Sequence, residues 1–302
     1  MTTVVLSAGS VSPFSLTTDM SLLKTIARRA SDAILVPFGY EITRKSSVRW
    51  EPVGLDGLIP PRNLWEGPSD PLSWFFGYFW EYRAYLTLLC ELRVDHSVLE
   101  IGCSHGRTML ALLDYIKPPG RYEGLDIRPN KIEFAHNNIH PRYPHFNFTA
   151  ADVYNGTYNP QGTQPGDTYR FPYDDGSFDV VYAASVFTHL VPRDAANYLK
   201  ESRRVLRKDG LCLFSFFVLD YYRGPGTSTA SFYEFDHPFA DFDGVAVYDS
   251  QAPENIIAYK ITIIKTLASQ ARLEVLRIIP GFWSNAHKVG VNEQDLILFK
   301  AV

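Results

Sequence analysis

Val98-Leu99-Glu100-Ile101-Gly102-Cys103-Ser104-His105-Gly106-Arg107-Thr108 decides how this chain is read. Val98, Leu99 and Ile101 describe a buried strand, the glycines mark a tight turn, and the apolar residues beyond Thr108 predict a helix. Glycines two and six residues past a strand-end carboxylate let the backbone pass close to a ligand. A Cβ at Gly102 or Gly106 would crowd that approach. The amides of the following helix add a partly positive terminus at the same place. Such a turn suits an adenosine ligand with a polar tail. A dinucleotide fingerprint, G-x-G-x-x-G, would need glycine where Gly102, Ser104 and Arg107 stand, and the last two break it.

Outward from this turn, apolar runs at 97–101, 121–127, 146–150, 178–183 and 211–218 read as strands. Helical stretches at 107–116, 131–138 and 193–206 separate them, the last stopped by Asp209-Gly210. Such alternation makes a parallel sheet with helices on both faces. The stripe Ile256, Ile257, Tyr259, Ile263, Ile264, Leu267 and Ala271 predicts one long helix over 253–272. Segments 273–279 and 295–300 predict a C-terminal antiparallel hairpin. The expected fold is α/β: a Rossmann-like, seven-stranded, mostly parallel sheet. Residues 219–252, rich in Tyr, Phe, Asp and Gly, interrupt the alternation and read as a lid insertion. Residues 1–94 read as an N-terminal extension with cover helices, leaving 95–302 as the domain proper. Within that extension, 21–35 has helical spacing, 51–70 is a proline-rich connection, and aromatics from Trp74 to Tyr85 predict a helix beside a substrate mouth.

Composition narrows the function classes. The chain has 302 residues, 46% hydrophobic and 14% aromatic, which is ample for a packed core. A net charge of −4 and a pI near 6.1 give no electrostatic footprint for nucleic acid or an anionic membrane. No apolar run reaches the length of a membrane span, and the N-terminus has no basic region ahead of its short apolar run. Cys90, Cys103 and Cys212 fit no metal or redox spacing and read as reduced packing residues. A cytoplasmic protein is the expectation.

Asp126 closes the second strand about two dozen residues after the glycine turn, where a carboxylate can accept from both ribose hydroxyls. Three further blocks follow in order: Ala150-Ala151-Asp152-Val153, the run from Phe171 to Leu190 with its Asp175-Gly176 turn, and Leu206-Arg207-Lys208-Asp209-Gly210-Leu211. With E-x-G-x-S-x-G at the front, these blocks resemble the class I S-adenosylmethionine (SAM) methyltransferases of the type 11/12 kind, over roughly residues 97–218. The resemblance implies SAM as cofactor, S-adenosylhomocysteine as product, and contacts from Glu100, Gly102, Ser104, Gly106, Asp126, Ile127, Asp152, Val153, Ala184 and Ser185. In that family the residue at Glu100 holds the glycine loop and the methionine end, and those at Asp152 and Val153 meet the adenine. Ala184 and Ser185 are small enough for the methionine moiety to pass. Ser104 departs from the commonest glycine and narrows the turn's freedom. The Asp/Asn-Pro-Pro-aromatic tetrapeptide of amino-methyltransferases is replaced by Ala183-Ala184-Ser185-Val186, which removes support for DNA or protein-glutamine methylation.

Tyr158-Asn159-Pro160-Gln161-Gly162, Ser185 to Leu190, Gly281-Phe282-Trp283-Ser284 and Gln294-Asp295 also resemble a bacterial branch of tailoring enzymes for polysaccharide or glycolipid assembly. That favours O-methylation of a saccharide or another small-molecule hydroxyl. Such an acceptor needs a base, and histidine suits neutral pH. His189, just past the fourth strand, is the first choice and His237, in the lid, the second. His105 reads as a contact to cofactor or solvent. Asp220 and Tyr221 are further pocket residues. Asp236, Asp241 and Asp243 could hold Mg²⁺, although a solvated loop is the plainer reading, so no metal is expected. Methylation of N, C or S in a natural product, or a SAM-binding module without turnover, are the alternatives.

Overall fold

The computed structural model describes residues 58, 60, 79–222, 233–240, 242–284 and 290–302. Helix α1 (Phe79–Leu89) precedes β1 (Ser97–Ile101), and a short 3-10 segment (Met109–Leu112) leads to β2 (Arg121–Asp126). Then come α2 (Pro129–Asn138), β3 (Phe146–Ala150), β4 (Phe178–Ala183), α3 (Pro192–Val205) and β5 (Leu206–Phe216). A small sheet of β6 (His237–Pro238), β7 (Val245–Val247) and β8 (Ile257–Tyr259) follows, and α4 (Ile261–Gln270), β9 (Leu273–Ile279) and β10 (Asp295–Ala301) complete the chain.

The main sheet has seven strands in the order β3-β2-β1-β4-β5-β10-β9. Strands β1 to β5 pair in parallel. β10 inserts antiparallel between β5 and β9, the expected C-terminal hairpin. From β1 the chain winds outward through β2 and β3, and from β4 it winds the other way. Their carboxyl ends therefore flank the switch point where ligands of open α/β sheets bind.

Alternation along the strands splits the core into two faces. Val98, Val180, Tyr182 and Leu213 share one cluster with residues of α1, the 3-10 segment and α2. Leu99, Ile101, Val181 and Phe214 share another with residues of α3 and α4. Burial from both sides explains why every residue of β1 is buried.

The structure corrects three expectations. The helix predicted over 107–116 is a 3-10 segment bracketed by turns; its Thr108 hydroxyl is spent on Glu100 rather than on a cap. The long helix over 253–272 is only α4, because 257–259 forms β8. The β8 backbone bonds to β7 on one side, while the Tyr259 amide donates to the Phe217 carbonyl and the Ile257 amide to Thr188. Ile257, Ala258 and Tyr259 are all buried, so their apolar character mimics a helical stripe while serving a strand buried on both sides. Finally, Asp209-Gly210 does not stop α3. Asp209, at φ 64°, accompanies a register jump inside β5, from Phe178 opposite Leu206 to Val180 opposite Leu211. The predicted insertion thus supplies two strands of the small sheet, and β8, beyond its expected end, supplies the third. The predicted helix at 21–35, the connection at 51–70 apart from Leu58 and Pro60, the aromatics from Trp74 to Tyr78, and 223–232 and Asp241 of the predicted insertion lie outside the described residues.

Candidate active site

The carboxyl ends of β1, β2 and β4 open into a cavity of about 380 Å³. Its floor is the quoted turn. Gly102, Ser104 and Gly106 all take positive φ, at 75°, 51° and 84°. Ser104 thus occupies the left-handed region that glycine would enter without strain. The turn is tied to β2 by the Gly102 and Cys103 amides, which donate to the Leu125 carbonyl at 2.7 and 3.2 Å. A Cβ on Gly102 would run into Val186 Cγ2, which closes the cavity wall from the end of β4. At Gly106 an added Cβ would meet Met109 Cε at 2.7 Å and Ile139 Cδ1 at 3.1 Å, and the φ of 84° itself favours glycine.

Asp126 is buried at the β2 end of this floor. Its Oδ2 accepts the Ser104 amide at 2.7 Å, and its Oδ1 accepts the Arg128 amide at 2.9 Å and Nε at 3.2 Å. The carboxylate therefore clamps the turn to β2 and keeps acceptor capacity on Oδ2. The contact fixes an amide of the turn without a continuous helix behind it.

Glu100 also lines the cavity, yet only 1% of it is exposed. Its Oε2 accepts Tyr122 at 2.5 Å and Tyr182 at 2.6 Å, and its Oε1 accepts the Thr108 hydroxyl. Burial pushes its carboxyl up to about 7, against the pull of these hydroxyls and with Asp126 adding to the rise. His105 shares the wall, with Nδ1 2.7 Å from Ser104 Oγ. Burial, reinforced by Lys131, Arg128 and Arg107, lowers its imidazole to about 3 and keeps the ring neutral. It is 3% exposed, which removes the solvent role.

The opposite wall comes from the end of β4 and from distant segments. Ala184, Ser185 and Val186 line it, with Ser185 at φ 57° and its amide on Ser215 Oγ at 2.7 Å. His189 follows on the same turn. Its Nδ1 lies 2.6 Å from the Asn255 carbonyl, 3.2 Å from that of Glu254 and 3.3 Å from the Tyr158 hydroxyl. Two carbonyl acceptors assign the proton to Nδ1, so a neutral ring carries its lone pair on Nε2. Tyr158 packs edge-on against this imidazole at 5.0 Å, and the Arg128 guanidinium lies 5.7 Å from the Tyr158 ring. The segment around it is a knot of turns: Asn155 Oδ1 accepts the Thr157 and Tyr158 amides, and Asn159 Nδ2 donates to the Val153 carbonyl.

Of the remaining predicted residues, one lines the cavity and the others stand elsewhere. Ile127 lines the cavity beside Asp126. Asp152 is exposed and accepts the Thr163 amide at 3.0 Å and its hydroxyl, closing a turn outside the cavity lining. Val153 is buried in the core, and Ala151, Asn155 and Tyr158 line the cavity on this side instead. His237 is exposed on β6, away from the lining, because its backbone pairs with Val247. Asp220 accepts the Ile261 amide at 2.7 Å and so caps α4, while Tyr221 packs on the core. Among the described residues no cluster of three or more metal-ligating side chains forms.

Sequence reasoning assigned no role to Asn155, Asn292 or Gln294 in the wall. Gln294 Nε2 donates to Ser185 Oγ at 2.9 Å. Its neighbour Asp295 is fully buried and accepts Gly281 N at 2.7 Å, Trp283 Nε1 at 2.7 Å and Val218 N at 2.8 Å. The paired motifs Gly281 to Ser284 and Gln294-Asp295 are thus a lock that holds one cavity residue in place.

Residues 99–214 match the family model of a methyltransferase domain. The chain is similar to the uncharacterized methyltransferase YcgJ of Bacillus subtilis, 29% identical over 135 residues, which are 44% of this chain and 43% of YcgJ. It is also similar to a probable phthiotriol/phenolphthiotriol dimycocerosates methyltransferase 2 of Mycobacterium ulcerans, 32% identical over 113 residues, 37% of this chain and 36% of that one. The chain spans less than half the length of these curated relatives. The CcbJ methyltransferase from Streptomyces caelestis shares the fold, with a TM-score of 0.50 at 14% identity, over 80% of this chain and 94% of that one. The segment 99–214 is thus similar in sequence to methyltransferase domains, and the fold is shared with a solved methyltransferase.

Proposed function

We propose that the whole chain is an O-methyltransferase that moves the methyl group of SAM to a hydroxyl of a saccharide or another small molecule. The observation that carries this reading is the anchored His189 in the same cavity as the glycine turn. Residues 95–302 form the catalytic domain, and 1–94 are an extension whose α1 brings Tyr82 to the cavity wall.

SAM fits the residues present. The turn leaves no room for a Cβ at Gly102, Asp126 keeps an acceptor position for a ribose hydroxyl, and Ala184 and Ser185 are small. When bound, SAM supplies a methyl group already activated on a sulfonium. The protein's remaining tasks are to hold the acceptor in line and remove its proton. His189 Nε2 takes that proton, and the Asn255 and Glu254 carbonyls at Nδ1 stabilise the imidazolium that results. Tyr158 limits the ring's rotation from the side. A saccharide acceptor is supported by the resemblance of the Tyr158 to Gly162 and Gly281 to Ser284 motifs to tailoring enzymes.

The test is methyl transfer from radiolabelled SAM to a panel of methyl glycosides and simple alcohols, with amines and thiols alongside. Label on an alcohol in the wild type, lost in His189→Ala while SAM still binds, supports the reading. Label on amines alone, or unchanged transfer by His189→Ala, overturns it.

A further inference from the structure

Gln294 lines the cavity together with Ser185 and His189, just ahead of β10. Its place is held from both sides. Its amide donates to Asn292 Oδ1 at 2.9 Å, and the next residue, Asp295, is fixed by donors from Gly281, Trp283 and Val218. Its side-chain Nε2 donates to Ser185 Oγ at 2.9 Å. A carboxamide carries a donor end and an acceptor end. With the donor end spent on Ser185, Oε1 receives a hydrogen bond from no described residue. It is a fixed acceptor, offered to whatever fills this side of the cavity.

Ser185 points the same way. It holds φ at 57°, a region that glycine enters freely and serine does not. A glycine would relax the turn but release Gln294, so what the strained serine supplies is its hydroxyl. The turn that carries Ser185 also carries His189, whose amide donates to the Val186 carbonyl at 2.8 Å. One wall thereby presents two acceptors, His189 Nε2 and Gln294 Oε1. A simple alcohol serves one of them and leaves the other covered without a donor, which costs binding. A molecule with two neighbouring hydroxyls serves both. We propose that Gln294 selects the acceptor substrate: its Oε1 receives the hydroxyl adjacent to the one being methylated, and the preferred acceptors are vicinal diols, the unit that saccharides repeat. The inference rests on the reading of the chain as an O-methyltransferase with His189 as base, and it narrows the acceptor class.

Methyl transfer from radiolabelled SAM by the full chain to cyclohexanol and to its trans vicinal diol tests this. The wild type should favour the diol about tenfold in kcat/KM, the worth of one neutral hydrogen bond, beyond the factor of about two from having two hydroxyls. That preference should lie mainly in KM, because the second hydroxyl is held alike before and during transfer. Gln294→Leu should bring the ratio down to the factor of about two, since the acceptor atom is gone. Gln294→Glu, which retains an acceptor oxygen, should keep most of the preference. The wild-type ratio needs no variant to fold. A wild type with no preference beyond the hydroxyl count, a Gln294→Leu protein that keeps the preference, or a Gln294→Glu protein that loses it as fully as Gln294→Leu overturns the inference and leaves O-methylation intact. Transfer to neither alcohol overturns the O-methyltransferase reading and the inference with it.

Discussion

The two walls of the cavity are built differently. The floor is almost continuous in sequence: Glu100, Gly102, Ser104 and Asp126 lie within 27 residues on β1, its turn and β2. The opposite wall is assembled from far apart. His189 is held by Tyr158 and Asn255, separated from it by 31 and 66 positions, and Ser185 by Gln294 across 109. A local turn fixes where a ligand common to many enzymes can sit. A wall gathered from four segments can change one segment at a time, which is how one fold takes different acceptors.

The largest effect should come from breaking the distant wall. His189→Ala should lower methyl transfer by about 10²–10³-fold, the usual worth of a positioned general base, and leave SAM affinity within about twofold. Steady-state rates beside calorimetry would separate the two. The glycines of the floor sharpen the comparison next. Gly102→Ala puts a Cβ against Val186 in the cavity wall and should abolish detectable SAM binding. Gly106→Ala presses on Met109 and Ile139 and should cost stability first, about 2 kcal/mol from positive φ and crowding together, read by denaturant unfolding.

Asp295 shows how much of the distant wall depends on one buried carboxylate. Asp295→Asn turns an amide toward donors from Gly281, Trp283 and Val218, leaving at least one unsatisfied. The expected loss is about 2 kcal/mol of stability, with transfer falling because Gln294 loses its support.

The pH dependence of stability separates the walls further. A carboxyl whose folded pKa lies above its unfolded value stabilises the fold in its neutral form. That contribution is complete below the unfolded value and is lost as pH rises through the folded one. Glu100 on the floor, at about 7 against an ordinary 4.5, and Asp295 behind the wall, at about 6 against 3.8, both follow this sign. The unliganded protein should lose melting temperature as pH rises from about 4 to 7. Glu100→Gln should remove the upper part of that decline. The smallest effect is expected at Ser104→Gly, which relieves a positive φ of 51° but gives up the contact to His105. A gain below about 1 kcal/mol is expected from thermal unfolding.

Legibility follows the same division. The strand positions, the glycine turn and Asp126 are legible because their signals are local: apolar runs, punctuation and a fixed separation. His189 was readable as a position after β4, while the carbonyls that orient it were not. Their segment carries the apolar stripe from Ile256 to Tyr259, whose periodicity suits a helix as well as a strand buried on both sides. The place after β3 points to Asp152, but the turn from Asn155 to Gly162 draws its carboxylate to Thr163 and presents Asn155 and Tyr158 instead. At Gly106 the turn's need for glycine is legible, while the Met109 and Ile139 contacts a Cβ would meet form only in the folded chain. Asp295 appeared as a motif without a mechanism, since three donors from Val218, Gly281 and Trp283 converge on it only in the folded chain.

A crystal structure with S-adenosylhomocysteine bound tests the division of the cavity most directly. The account predicts ribose hydroxyls within hydrogen-bonding distance of Asp126 and the sulfur directed toward the wall of Ala184 and His189. A ligand seated outside this cavity, or a sulfur turned away from His189, would contradict it.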